Sequence, residues 1–343
     1  MTPVVSSTPG ALAGDAHAAP EARRPRWLSV AAGTAAGLAL LAAVLAAAGV
    51  EDVWRSRRAI EPGALALYGL LTVVVYLMRA RRFRTLIGPG ATVPTLYGIV
   101  SVHTLMVNLL PCNAGDVSYP VLLKRYGLRA DLLGGVPSLV VVRLQDVLIT
   151  GVFLIVALAL LGGPGELVGS PEVTAPRLAV ALLALLAAAA VAVAMTRPAV
   201  RDRLEPLVQT VWASVRAVDV RVWLDTLAVG VLARLVAIVA VFYLFHAVGI
   251  GLPLATVLLI NSLYTLLPLL PINAIAGLGI TQAYLVTCFV ASGIDRGVAV
   301  AASVQVHALQ LAGAALLAAL GWAQLRHAAG LPTRRAAGEG GRR

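Results

Sequence analysis

The chain has 343 residues, of which 59% are hydrophobic and 13% charged. That leaves too little polar surface for a soluble domain, and the apolar stretches are continuous rather than alternating, which excludes a transmembrane barrel. The net charge of +11 sits in short arginine clusters beside apolar runs, so it reads as membrane topology and not as a nucleic-acid surface.

Residues 1–26 are rich in Pro, Ala and Ser, end in RRPR, and are expected to be a disordered cytoplasmic tail. The run 28–48 follows. AAA at 46–48 resembles a signal-peptide cleavage site, but the run is long enough to span, and we read it as an uncleaved helix. A second span is expected over about 63–79, ending in RARRFR. Arginines before the first span and after the second put both segments in the cytoplasm.

The stretch 92–131 contains NLLPCNAGD at 108–116. If it crossed the membrane, Lys124, Arg125 and Arg129 would lie outside, as would the arginines of 197–221. A re-entrant hairpin entering from the cytoplasm removes both conflicts, with Pro94, Pro111, Gly115 and Pro120 as its breakers. A span at VVVRLQDVLIT, 140–150, then leads to the acidic loop 162–176 outside.

The second half repeats the plan. Spans are expected at about 178–195 and 224–247, then an interrupted stretch, 252–292, and a last span at about 298–323. For the basic C-terminal tail to be cytoplasmic, 252–292 must return to the outside. LLPINAIAG at 269–277 echoes the first hairpin at an offset of 160 positions. The expected fold is therefore an all-α polytopic membrane protein with an inverted-topology repeat, each half having three spans and a re-entrant helical hairpin. The divisions are a tail at 1–26, repeats at 27–162 and 163–325, and a basic cytoplasmic tail at 326–343.

Unpaired backbone at membrane depth is tolerated only where protein or water covers it. Two hairpin tips meeting near the midplane would line one polar cavity. Asn108, Asn113, Asp116 and Asn273 would shape it; equally, Asn113 and Asn273 could cap half-helices, and Asp116 could cap a helix beginning near Val117. Arg143 and Asp146 stand three apart on one helical face and can pair with each other, or serve as an anion site with its counter-charge. A charge at mid-membrane costs roughly 2.5–3.5 kcal/mol on insertion scales, so such residues face protein or water. Arg234 has no acidic residue near it on its own helix and needs a tertiary partner or an anionic substrate. His307 and Gln310, one turn apart, and His103 are interhelical hydrogen-bond donors or coupling groups. The two cysteines, Cys112 and Cys288, show no metal-binding spacing, and free buried thiols are expected. The tryptophans sit near the ends of apolar runs, as interfacial anchors do.

No GxSxG, HExxH, P-loop or dinucleotide turn is present, so no cofactor, metal or catalytic residue is expected. The motifs NLLPCNAGDVSYPVLLKRYGL, VVVRLQDVL and PINAIAGLGITQAYL resemble the flippase-like integral membrane family that includes the transmembrane region of lysylphosphatidylglycerol synthases. Pro111, Gly115, Asp116, Arg143, Asp146, Gly277 and Gly279 match its pattern, and Pro271 falls in the second echo. Ser118 and Tyr119 stand where many members have an arginine, Val142 where a glutamate often precedes the span arginine, and Gln282 at a late acidic position.

The resemblance implies lipid translocation and a bacterial inner-membrane location, without the soluble synthase domain. On it, Arg143 and Arg234 would hold a phosphate, Asp146 and His307 would couple to protons, and Gln310 and Gln282 would support them. The leading expectation is a transporter of an anionic phospholipid or lipid-linked glycan precursor. The alternatives are a secondary transporter of a small anion, and a non-transporting partner of a lipid-modifying or glycosyl-transfer enzyme.

Overall fold

The computed structural model describes residues 59–110, 114–129, 135–161, 218–267 and 275–330, with a few single positions besides. The expected spans at 28–48 (Ala42 apart) and 178–195, the N-terminal tail, residues 331–343, and Pro111, Cys112, Asn113, Pro271 and Asn273 lie outside the described residues, while residues 326–330 of the expected C-terminal tail are helical.

Eight α-helices are described: α1 (Pro62–Ile87), α2 (Val93–Leu109), α3 (Ser118–Arg125), α4 (Val136–Leu160), α5 (Val220–Ala247), α6 (Leu254–Tyr264), α7 (Ile280–Ala291) and α8 (Arg296–Gly330). No strand occurs among the described residues. Helices α1, α4, α5 and α8 are long and apolar enough to cross a membrane. Helix α1 runs well beyond the expected end of its span, because its arginine-rich segment continues the helix and turns Arg82 and Phe83 inward.

Local chemistry starts the helices where they start. Glu61 accepts from the backbone N–H groups of Gly63 (2.9 Å) and Ala64 (2.5 Å) ahead of α1, with Pro62 at the first helical position. Thr92 caps α2, which has Pro94 in its first turn. Asp219 accepts from Arg221 N at 2.7 Å before α5. Asp295 accepts from Gly297 N (2.9 Å) and Val298 N (3.3 Å) before α8.

The packing follows a pattern. Helix α1 lies along α5, α2 along α8, and α6 along α4. Helix α1 also meets α2 and α4, while α5 meets α6 and α8. Lipid tails are as apolar as leucine, so helices here gain by close backbone approach rather than by escaping water. The α2–α8 crossing does this with Gly98 and Gly321. A Cβ on Gly98 would stand 2.7 Å from the Gly321 carbonyl oxygen. Outward-facing Val147, Val152, Ile155 and Leu160 on α4, and Leu232 and Leu235 on α5, stay exposed; in a bilayer they meet acyl chains.

The two ends of the bundle differ in charge. At one end Arg81 pairs with Asp225 at 3.6 Å, and Arg129 donates to Ile87 O at 3.3 Å. Arg125 and Arg326 lie over the Trp322 ring, with guanidinium carbons 5.4 and 5.6 Å from its centre. Residues 93–129 therefore begin and finish at this basic end. At the other end Glu61 N donates to Ala247 O at 2.8 Å. There Leu244, Phe245, Leu252, Leu285, Phe289 and Ala299 form one core cluster, which holds both the start and the finish of 252–299.

Candidate functional site

A cavity of about 300 Å³ lies between α1, α2, α5, α6, α7 and α8. Helix α1 presents Tyr68, Thr72, Tyr76 and Arg79 to it, spaced three or four residues apart along one face. Thr104 and Asn108 come from α2, and His307 and Gln310 from α8. Ala276 and Gly277, just before α7, and Thr281 within it close another side. Residues from both interrupted stretches thus share this cavity. Of the sequence candidates, Asn108, Gly277, His307 and Gln310 line it. Arg143, Arg234, Asp116 and Asp146 do not; they belong to separate polar groups around it.

The turn Ile275–Gly277 is held by a buried relay. Gln282 Oε1 accepts from Gly279 N at 2.7 Å, and Gln282 Nε2 lies 2.7 Å from His307 Nδ1. The first contact orients the amide, so Nε2 is the donor and Nδ1 carries the lone pair. His307 also bonds the backbone of Ala276. Ala276 has φ 54°, and Gly277 and Gly279 have φ 62° and 80°. Three left-handed residues in four reverse the chain, and the alanine among them needs its surroundings to hold it there. Gln282 and His307 are positioning residues for this turn.

The turn Ala114–Val117 is pressed onto α2 in a comparable way. A Cβ on Gly115 would stand 2.4 Å from Val107 Cα and N, so only glycine fits. His103 Nδ1 is 3.0 Å from Ser118 Oγ, and its Nε2 is 3.8 Å from Asp116. Asp116 does not cap α3; its carboxylate pairs with Arg143 of α4. The cap reading is corrected here, since residues 114–117 form a 3-10 turn and the side chain projects toward α4.

The pairing of Arg143 with Asp146, one of the two sequence readings of these residues, is not formed. Asp146 instead receives Arg82 Nη1 at 2.5 Å. Arg82 is 4% exposed and also donates to Gln145 Oε1 (2.8 Å) and Val142 O (3.2 Å). Gln145 passes the network on to Trp223 O and Thr226 Oγ1 of α5, both at 3.0 Å. Sequence reading took the RARRFR arginines as topology signals and missed Arg82 and Arg79. The signal available was the spacing: Thr72, Tyr76 and Arg79 continue one helical face.

Arg234 lies between α4, α5 and α6. Its guanidinium donates to Thr265 Oγ1 (2.9 Å) and Thr150 Oγ1 (2.5 Å). Each hydroxyl spends its own proton on a carbonyl one turn back, Asn261 O (2.9 Å) or Asp146 O (2.7 Å). Both threonines thus act as pure acceptors toward the arginine. Among the described residues, no carboxylate comes within ion-pair distance of Arg234 or Arg79. Arg79 has an aromatic neighbour, its guanidinium carbon 5.9 Å from the Tyr76 ring centre. Arg82 and Arg143 are neutralised by carboxylates, whereas Arg79 and Arg234 meet none among the described residues. The unneutralised pair makes the interior attractive to an anion. No group of three potential metal ligands occurs among the described residues.

The sequence model of the family described as the lysylphosphatidylglycerol synthase TM region matches residues 28–318. No curated protein and no solved structure matches the chain.

Proposed function

The chain belongs to the lysylphosphatidylglycerol synthase transmembrane-region family and is a multi-pass membrane protein; from that premise we propose that it moves an anionic phospholipid or lipid-linked glycan precursor between leaflets, as a flippase does. The observation that carries this reading is the cavity itself. It sets polar side chains into a largely apolar wall, lies midway along α1, α5 and α8, draws on both interrupted stretches, and has on its wall an arginine with no carboxylate partner among the described residues. Head groups would pass through it while the acyl chains stay among lipids, and Arg234, off the cavity wall but one turn before the lining residue Ala237, would offer the phosphate a second contact along the way. We read the chain as a carrier, not a catalyst, working in the bacterial inner membrane with both termini cytoplasmic.

The inverted repeat and its re-entrant hairpins belong to the same proposal. They are supported by the helix partnerships. Exchanging α1, α2, α3 and α4 for α5, α6, α7 and α8 turns the α2–α8 contact into α6–α4, α1–α2 into α5–α6, and α1–α4 into α5–α8, all of which occur. They are also supported by the return of 93–129 to the basic end and of 252–299 to the opposite end. Positive residues collect at the first of these, the end we assign to the cytoplasm.

The test is reconstitution of the purified chain in vesicles with labelled lipids. Leaflet exchange above protein-free vesicles supports the proposal. Exchange absent for every lipid, with uptake of a small soluble anion instead, replaces it with the small-anion carrier. Absence of both, with tight co-purification of a lipid-modifying or glycosyl-transfer enzyme, replaces it with the partner role.

A further inference from the structure

Resting on that reading, we infer that the cavity takes a head group bearing one phosphodiester charge and an uncharged polyol or single sugar, and turns away head groups that carry an ammonium. The argument is a census of charge. Among the described residues, Arg79 is the one arginine on the cavity wall, and no aspartate or glutamate lines it. His307 adds no charge in the arrangement described, because Nδ1 accepts from Gln282. The nearby carboxylates are committed elsewhere: Asp116 to Arg143, Asp146 to Arg82, and Asp225 to Arg81. The neighbouring sequence at 111–113 and 268–274, PCN and PLLPINA, contains no charged side chain.

The remaining polar lining is neutral. Tyr68, Tyr76, Thr104, Asn108, Thr281 and Gln310 offer hydroxyls and amides. Groups of that kind both donate and accept, as the hydroxyls of a polyol do. One phosphate oxygen pair opposite Arg79 completes the charge balance. A lysyl ester would bring ammonium groups into the same space with no carboxylate to receive them, and a buried unpaired charge is costly. Size points the same way. About 300 Å³ is enough for a phosphate with a glycerol or one sugar.

The experiment has a binding arm and a transport arm, both on the full chain. In detergent, short-chain phosphatidylglycerol, phosphatidylethanolamine and lysyl-phosphatidylglycerol are titrated, and the thermal shift is read. In vesicles of phosphatidylcholine, leaflet exchange of the same three lipids with a labelled acyl chain is followed. We expect phosphatidylglycerol to be preferred about tenfold in both arms. Arg79→Gln should remove that preference, and Arg79→Lys should keep most of it. Asn108→Asp, which adds a carboxylate at nearly constant shape, should shift the preference toward the lysyl lipid. Equal or tighter binding of the lysyl lipid by the wild type overturns the inference. So does unchanged phosphatidylglycerol binding in a folded Arg79→Gln. Selective binding without any exchange leaves the head-group site standing and ends the transport reading instead.

Discussion

The carboxylate of Asp146 on α4 lies 2.5 Å from the guanidinium of Arg82 on α1. Arg143, three residues before Asp146 on the same helix, is turned away toward Asp116. Two neighbours that could have neutralised each other are instead used to tie α4 to α1 and to the turn after α2.

That arrangement makes Asp146 structural in the first instance. Arg82 is almost fully buried, whereas the Asp146 side chain is 37% exposed, so part of the pair's energy is screened by its surroundings. Asp146→Asn should cost roughly 2–3 kcal/mol, below the range for a fully buried pair broken at one partner. Thermal unfolding in detergent checks this, and the double change Arg82→Met with Asp146→Leu should recover much of the loss. An unchanged melting temperature in Asp146→Asn would mean that the pair holds nothing together.

Arg234 tests the phosphate contact. Its partners are two threonine hydroxyls, so Arg234→Ala leaves no buried carboxylate stranded, and folding should be mildly affected. Lipid exchange should fall by about tenfold, near 1.4 kcal/mol, while Thr265→Val, which removes one supporting acceptor, should fall less. Wild-type exchange rates in Arg234→Ala would remove this residue from the path.

At Gly115 the prediction is steric. Val107 backbone atoms occupy the space a side chain would need, so Gly115→Val must lift the 114–117 turn off α2. We expect a loss above roughly 2 kcal/mol, typical of overpacking against backbone, and faster proteolysis between α2 and α3. Gly69→Ala, on α1 with open space around it, is the control and should be silent.

Gln282 and His307 should behave as a unit. Gln282→Leu leaves Gly279 N and His307 Nδ1 without their partner, at about 1–3 kcal/mol for each orphaned group. Because both residues serve the same turn, a double-mutant cycle with His307→Phe should show coupling of at least about 0.5 kcal/mol. Additive melting shifts would contradict the relay.

Sidedness is read by labelling single cysteines in a background where Cys112 and Cys288 are serine. Arg125→Cys and Arg326→Cys should react from the cytoplasm, since both side chains sit over Trp322. Glu61→Cys and Asp295→Cys should react from outside. Opposite reactivity of residues 125 and 326 would mean that 93–129 crosses the membrane completely, and would end the hairpin reading.

Membrane residence, the helical class and the position of long helices such as α4 and α5 were legible in the sequence, because they depend on apolar length and on one-dimensional charge placement. The prolines and glycines also marked where helices stop. Individual partners were not legible. Arg143 and Asp146 satisfy every local rule for a pair, yet each finds a better-placed partner across a helix interface, with Asp116 and Arg82. Arg79 and Arg82, three residues apart in one basic cluster, part company for the same reason. Three apart, they share a helical face, and only the neighbouring helices decide that Arg79 borders the cavity while Arg82 meets Asp146 and Gln145 of α4. Sequence alone therefore marked the apolar segments that the four long described helices occupy. Only the packing of α1, α4, α5 and α8 decided which charges are cancelled and which stay open to a ligand, because that depends on distances between helices that no local pattern encodes.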